Sequence, residues 1–112
     1  MASAVQDALF GTTTRTTTLF VVHLLQETHA SEIAQTLEIS LSQVQKALNG
    51  LEIAGMVVGT RVGRERRIKL NPRYLALDEL TALLEKVTMR DVALHQRLAE
   101  RRRRPRRVGK EI

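Results

Sequence analysis

No cysteine occurs in the 112-residue chain. That absence excludes disulfides, thiolate metal sites and cysteine nucleophiles, and it suits a reducing compartment. Aromatic residues are nearly absent too: two Phe, one Tyr and no Trp. The core therefore has to be built from Leu, Ile, Val and Ala. No apolar run approaches the roughly 20 residues of a membrane-spanning helix. The opening MASAVQDALFG lacks the basic-then-apolar pattern of a secretory leader. These absences predict a cytoplasmic protein with no membrane partner. The length suits one small domain with a tail.

What is present in quantity is positive charge, and it is unevenly placed. The formal net charge is +6. Residues 97–112 hold eight Lys/Arg against two Glu, whereas residues 1–96 balance ten against ten. Half of the basic residues in that neutral body fall between Arg61 and Lys69. A cationic patch on a neutral surface is the pattern expected of a face that meets a polyanion.

Hydrophobic periodicity predicts the elements. Ala4, Val5, Ala8 and Leu9 suggest a short helix ending at Gly11. The run TTTRTTTLFVVHLLQE is ambiguous, since its β-branched threonines favour strand. Leu19 to Leu25 fit one side of a helix that Thr12 could cap, so a helix over 13–27 is expected, with an edge strand as the alternative. Ala30–Leu37 reads as a helix capped by Ser31, and a second follows from Ser40 to near Gly55. Strands at 56–60 and 66–70 flank a turn at Gly63, and Asn71-Pro72 could open another helix.

From Leu77 the apolar spacing is regular. Leu77, Leu80, Leu84, Val87, Leu94 and Leu98 make a heptad seam with Asp91 in its one polar slot. The seam could pack the last helix on its own domain or zip two subunits into a homodimer. After a compact domain little body is left to cover residues 88–98, which favours the dimer. Residues 101–112 read as a disordered basic tail, with Arg101, Arg102, Arg103, Arg104, Arg106 and Arg107 available for phosphate contacts or serving only solubility. The expected organisation is a core over 1–72, a C-terminal dimerisation region over 73–100 and this tail.

The central unit is ASEIAQTLEISLSQVQKALNGLEIAGMV. Two short helices joined by about three residues must cross steeply to share a core. Ala34 supplies the small residue at the crossing, Leu37 and Ile39 flank the turn, and Val44 and Ala47 face inward. This is the helix-turn-helix pattern. Glu38 departs from it, because Gly usually opens that turn. Either Glu38 accepts a left-handed conformation at about 1 kcal/mol, or the turn has another geometry. The outward face of the second helix carries Ser42, Gln43, Gln45, Lys46 and Asn49. Gln and Asn can pair bidentately with adenine, Lys reaches guanine or phosphate, and Ser contacts either.

The unit continues into strand, basic turn and strand. The run S-QVQKAL--LE-AGMV followed by R-G---R-IKLNP resembles bacterial and archaeal winged helix-turn-helix transcriptional regulators of the ArsR-like superfamily, over roughly residues 8–84. The resemblance implies a mainly α fold with a small β-hairpin wing and a long C-terminal helix. It implies a recognition helix at 41–52, a wing tip at 61–67 and action as a homodimer on double-stranded DNA. Arg61, Arg64, Arg66 and Arg67 would then contact phosphate or the minor groove. Without that context, a solvated hairpin would explain the same residues equally well. Arg67 and Lys69 are expected outward, alternating with Ile68 and Leu70 inward.

Other candidates are weaker. His23 reads as a partly buried structural histidine and His29 as a solvated turn residue. Asp91 and His95 are four apart on a helix, a spacing used for metal ligands, but a surface hydrogen-bonding pair is the simpler reading. No metal, cofactor or small-molecule ligand is expected, and no nucleophile–His–carboxylate set suggests an enzyme. The reading is a sequence-specific, nucleoid-associated transcriptional regulator. The alternatives are a DNA-maintenance or replication protein with little sequence choice, and a winged-helix module that binds protein.

Overall fold

The computed structural model describes residues 9–103. Its elements are α1 (Thr13–Leu25), α2 (Ala30–Leu37), α3 (Leu41–Ile53), β1 (Val57–Val62), β2 (Glu65–Leu70), α4 (Leu77–Met89) and α5 (Val92–Arg103). The helix expected around Ala4–Leu9 falls almost wholly outside the described residues.

The threonine run is helix, for two local reasons. The Thr12 side chain caps α1 by accepting a hydrogen bond from the Arg15 amide at 3.0 Å. The Thr17 hydroxyl donates to the carbonyl of Thr13 at 2.9 Å, so the helix itself satisfies a polar branch that would otherwise favour strand. Leu19 to His23 are five consecutive buried residues. A helix buried on every side must be central, and α1 packs against α2, α3, α4 and β2.

Helix α2 is capped by His29, not by Ser31: the imidazole Nδ1 accepts from the Glu32 amide at 3.4 Å. His29 is therefore a capping residue that also keeps part of its side chain in solvent. Helix α2 ends at Glu38, which adopts the left-handed conformation (φ 59°, ψ 46°). The next amide, from Ile39, reaches back to the Ala34 carbonyl at 3.2 Å, the bond such a cap makes available. Ser40 and Gln43 then form a reciprocal capping box that starts α3.

The hairpin pairs Val57 with Leu70 through Val62 with Glu65. Both strands run further towards the tip than expected. Gly63 at φ 64° begins the two-residue turn and Arg64 has no positive φ, as in a type II′ turn. Thr28 extends the sheet by exchanging two backbone bonds with Ile68, at 2.7 and 2.9 Å. Asn71-Pro72 does not open a helix. Asn71 instead clamps the hairpin's base, donating from Nδ2 to the Gly55 carbonyl at 2.9 Å and accepting at Oδ1 from the Arg73 amide at 2.9 Å.

The seam, expected on one long C-terminal helix or on more than one, is carried by two, α4 and α5. The chain breaks at Arg90–Asp91, and Asp91 Oδ1 accepts from the Leu94 amide at 3.1 Å. The polar slot in the heptad is thus an N-cap: a short carboxylate competes for backbone amides and starts a new helix. Leu80, Leu84, Leu94 and Leu98 are at most 6% exposed and join the same core as Leu19, Phe20, Ile33 and Leu48. Leu77 and Val87 are partly buried. The chain covers its own seam, so these residues are not an open dimer surface.

Candidate nucleic-acid interface

Helix α3 buries Val44, Ala47, Leu48 and Leu51. Ser42, Gln43, Gln45, Lys46 and Asn49 are all exposed on its other side. They are not equally free. Gln43 Oε1 accepts from the Ser40 amide at 3.2 Å and lies 3.1 Å from the Ser40 hydroxyl, so its acceptor is committed to the cap. Ser42 Oγ lies 3.3 Å from Ser40 Oγ. Gln45, Lys46 and Asn49 make no side-chain hydrogen bond or ion pair with another described residue, which leaves both polar ends of Gln45 and Asn49 available for bidentate pairing.

The wing divides its arginines into two pairs. Arg61 and Arg64 are exposed, and neither has an ion-pair partner among the described residues. Arg66 and Arg67 are engaged. Arg67 contacts Glu65 Oε2 at 3.0 Å and Glu27 Oε2 at 3.4 Å. Glu65 Oε2 also lies 3.5 Å from His29 Nε2, so a polar chain ties the outer face of β2 to the α1–α2 junction. Arg66 forms an ion pair with Glu52 on α3. Strand alternation carries the missed signal: Arg66, Ile68 and Leu70 share a face, so Arg66 points to the helical side of the sheet. The charges free to meet an anion at the wing are Arg61, Arg64 and the exposed Lys69.

The tail begins later than expected. Residues 101–103 continue α5. Arg101 lies 3.7 Å from Glu32 Oε2 and donates to Gln35 Oε1 at 3.4 Å, while Arg97 donates to the Thr36 carbonyl at 3.2 Å. Arg101 therefore docks α5 on α2 and is not a free phosphate ligand. Arg102 is exposed. Arg104, Arg106 and Arg107 lie outside the described residues.

The remaining histidines are accounted for by packing. His95 Nε2 is 2.9 Å from the Thr88 carbonyl across the α4–α5 elbow that Asp91 caps. Among the described residues no group of three or more His, Asp or Glu is placed to hold a metal ion. His23 is buried, and burial pushes its pKa below the ordinary 6.5, a shift that Glu85 at 3.7 Å partly opposes. It borders a cavity of about 300 Å³ between α1, β2 and α4, lined also by Val22, Gln26, Lys69 and Leu70. Sequence periodicity placed His23 in the core but had no signal for that cavity.

Two crossing helices, a polar outward face on the second, and an antiparallel hairpin beside it constitute a winged helix-turn-helix fold. Solved structures share it. A single-substitution mutant of ZitR from Lactococcus lactis superposes with a TM-score of 0.59 at 20% identity, covering 80% of this chain and 61% of that one. A double-substitution mutant of the same protein gives 0.55 at 23% identity with the same coverage, and its apo form gives 0.50 at 23%, covering 78% and 68%. The chain thus spans about three fifths of the length of the first two structures. No protein-family model matches the sequence, and no curated protein matches it.

Proposed function

We propose that this chain is a DNA-binding transcriptional regulator that lays α3 in the major groove and uses its wing on the flanking phosphates. The observation that carries the reading is the polar face of α3, with Gln45, Lys46 and Asn49 exposed beside Arg61 and Arg64 on the wing, which no described residue pairs. Gln45 and Asn49 read base edges, Gln43 keeps its side-chain amide nitrogen for a base, Lys46 reaches guanine or phosphate, and Ser42 contacts base or phosphate near the helix start. Affiliation with the ArsR-like superfamily belongs to this proposal and rests on the residues quoted for it. So does action as a homodimer in the nucleoid. Two-fold pairing would use surfaces outside the buried seam, where Leu83, Met89 and Val92 are exposed.

The test is binding to duplex DNA across a salt series, together with selection of preferred sites from random duplexes. About four phosphate contacts per chain give a log–log slope near −3.6, and near −7 for a dimer. A slope near zero removes DNA as the ligand. An architectural role with little sequence choice predicts the same slope but no enriched site, and the basic residues beyond Arg103 give that second reading its support.

A further inference from the structure

Arg15, in the first turn of α1, is a basic residue of the body that the recognition helix and the wing do not account for. Its side chain lies across α3 at Gly50. A Cβ placed on Gly50 would come 2.5 Å from Nη2, 2.9 Å from Cζ and 3.1 Å from Nε of Arg15. On the other side, a Cβ on Gly11 would meet Nη1 at 3.4 Å. The guanidinium is held between two glycines, one of them on the recognition helix. No carboxylate of the described residues pairs with it, and its Nε is buried without a hydrogen-bond partner. The first turn of α1 contains no acidic residue. Guanidinium carries five donors and is always charged, so leaving it half-buried and unpaired by the described residues is unfavourable unless something else completes it.

The position of Gly50 says what that is. At about 100° per residue, Gly50 lies about 40° from Lys46 and about 20° from Gln43, on one edge of the exposed face of α3. Glu52 lies on the opposite edge, about 20° from Gln45, and there the wing arrives through Arg66. The face offered to the groove is therefore edged by a cation on each side. A helix in the major groove has a phosphate wall on both sides, one from each strand. The wing addresses one wall.

The geometry points to Arg15 as a phosphodiester-binding residue for the opposite wall, held in place by the missing side chain at Gly50. This rests on the DNA-binding reading above and adds a contact that neither the recognition helix nor the wing supplies. Phosphate contacts fix register without reading sequence. Gly50 then has a use beyond packing: a glycine inside a helix is less favourable than alanine, yet alanine here would displace the guanidinium.

The experiment uses the full chain carrying Arg15→Ala, Arg15→Lys, Gly50→Ala and the double variant Arg15→Ala/Gly50→Ala, with Arg64→Ala as the wing reference. Affinity for the selected duplex and for random duplex is measured against salt, and thermal stability is measured beside it. Arg15→Ala is expected to weaken both duplexes by a similar factor of about tenfold and to flatten the salt slope by about 0.9 per chain. Arg15→Lys recovers part of the affinity. Gly50→Ala keeps or raises the melting temperature yet weakens DNA binding, and it has no further effect on affinity in the Arg15→Ala background. Wild-type affinity for Arg15→Ala, with Arg64→Ala still impaired, overturns the Arg15 contact and leaves the DNA reading standing. Equal losses from Gly50→Ala in the two backgrounds overturn the positioning role of Gly50. A wild type without salt-dependent binding overturns both readings.

Discussion

Arg66 on β2 is ion-paired to Glu52, near the end of α3. The pair fixes the wing against α3. Arg66 also stands directly opposite Arg61 in the hairpin register, where two like charges repel. Glu52 offsets that repulsion. Both partners keep more than a third of their side-chain surface exposed, and exposed pairs contribute about 0–1 kcal/mol. A carboxylate holding an arginine this weakly can be exchanged for a phosphate.

Glu52→Gln tests that exchange. It removes a negative charge from the edge of the exposed face of α3 and releases Arg66. Affinity for duplex DNA is expected to rise by roughly threefold to tenfold, and the salt slope to steepen by up to about 0.9 per chain. Fold stability should change by less than about 1 kcal/mol. Fluorescence anisotropy over a salt series and chemical denaturation read the two effects separately. Unchanged or weaker DNA binding would mean that Glu52 holds the wing in its working position.

The local grammar of the chain was legible because its signals are short-range. Thr12 and Ser40 cap the helices they precede, Gly63 makes the turn, and the apolar residues of α3 face inward as their spacing requires. What misled was continuity. The heptad steps run unbroken past Asp91, but periodicity does not say whether one helix or two carry them, and a capping carboxylate decided for two. The arginines divided for a similar reason. Alternation puts Arg66 with Ile68, yet only the packed structure brings Glu52 to meet it. Arg101 looked like tail until Glu32 and Gln35, far away in sequence, came within its reach.

The buried seam changes what its substitution should do. Leu84 is fully buried, and Leu94 nearly so, in the core of a single chain. Leu84→Ala is expected to lower unfolding free energy by about 2–5 kcal/mol. Leu94→Lys should be at least as damaging, because a cation enters an apolar site without a partner. Denaturant melts followed by circular dichroism measure both. A folded, stable Leu94→Lys protein that has only lost self-association would return the seam to a subunit interface.

His23 gives the fold a mild acid sensitivity. Its imidazole is held neutral by burial, with a pKa below 6.5 in the folded chain. In the unfolded chain it takes up a proton near that ordinary value. Its contribution is therefore fully present above about pH 6.5 and declines as the pH falls towards the folded pKa, by at most about 1.4 kcal/mol per pH unit. His23→Gln should flatten stability between about pH 7.5 and 5.5 relative to wild type. The difference between the two profiles isolates His23. Parallel profiles would show that the site stays wet enough to accept the charge.

The elbow of the helix-turn-helix carries a strain that one substitution should remove. Glu38 sits at φ 59°, where a side chain's Cβ crowds the following carbonyl, at a cost of about 1–2 kcal/mol. Its carboxylate is exposed and makes no hydrogen bond or ion pair with another described residue, so nothing visible offsets that cost. Glu38→Gly relieves the crowding but gives the unfolded chain more freedom, worth about 0.5–1 kcal/mol in the other direction. The net expectation is a gain of about 0.5–1 kcal/mol in unfolding free energy. Glu38→Asn should gain less, since Asn tolerates the left-handed region without the full freedom of Gly. Because the turn sets the angle between α2 and α3, DNA affinity provides the second readout. Greater stability with unchanged affinity would show that Glu38 is a tolerated misfit at a turn that glycine fits better. Greater stability with weaker binding would show that the strained turn sets the approach of α3 to the groove.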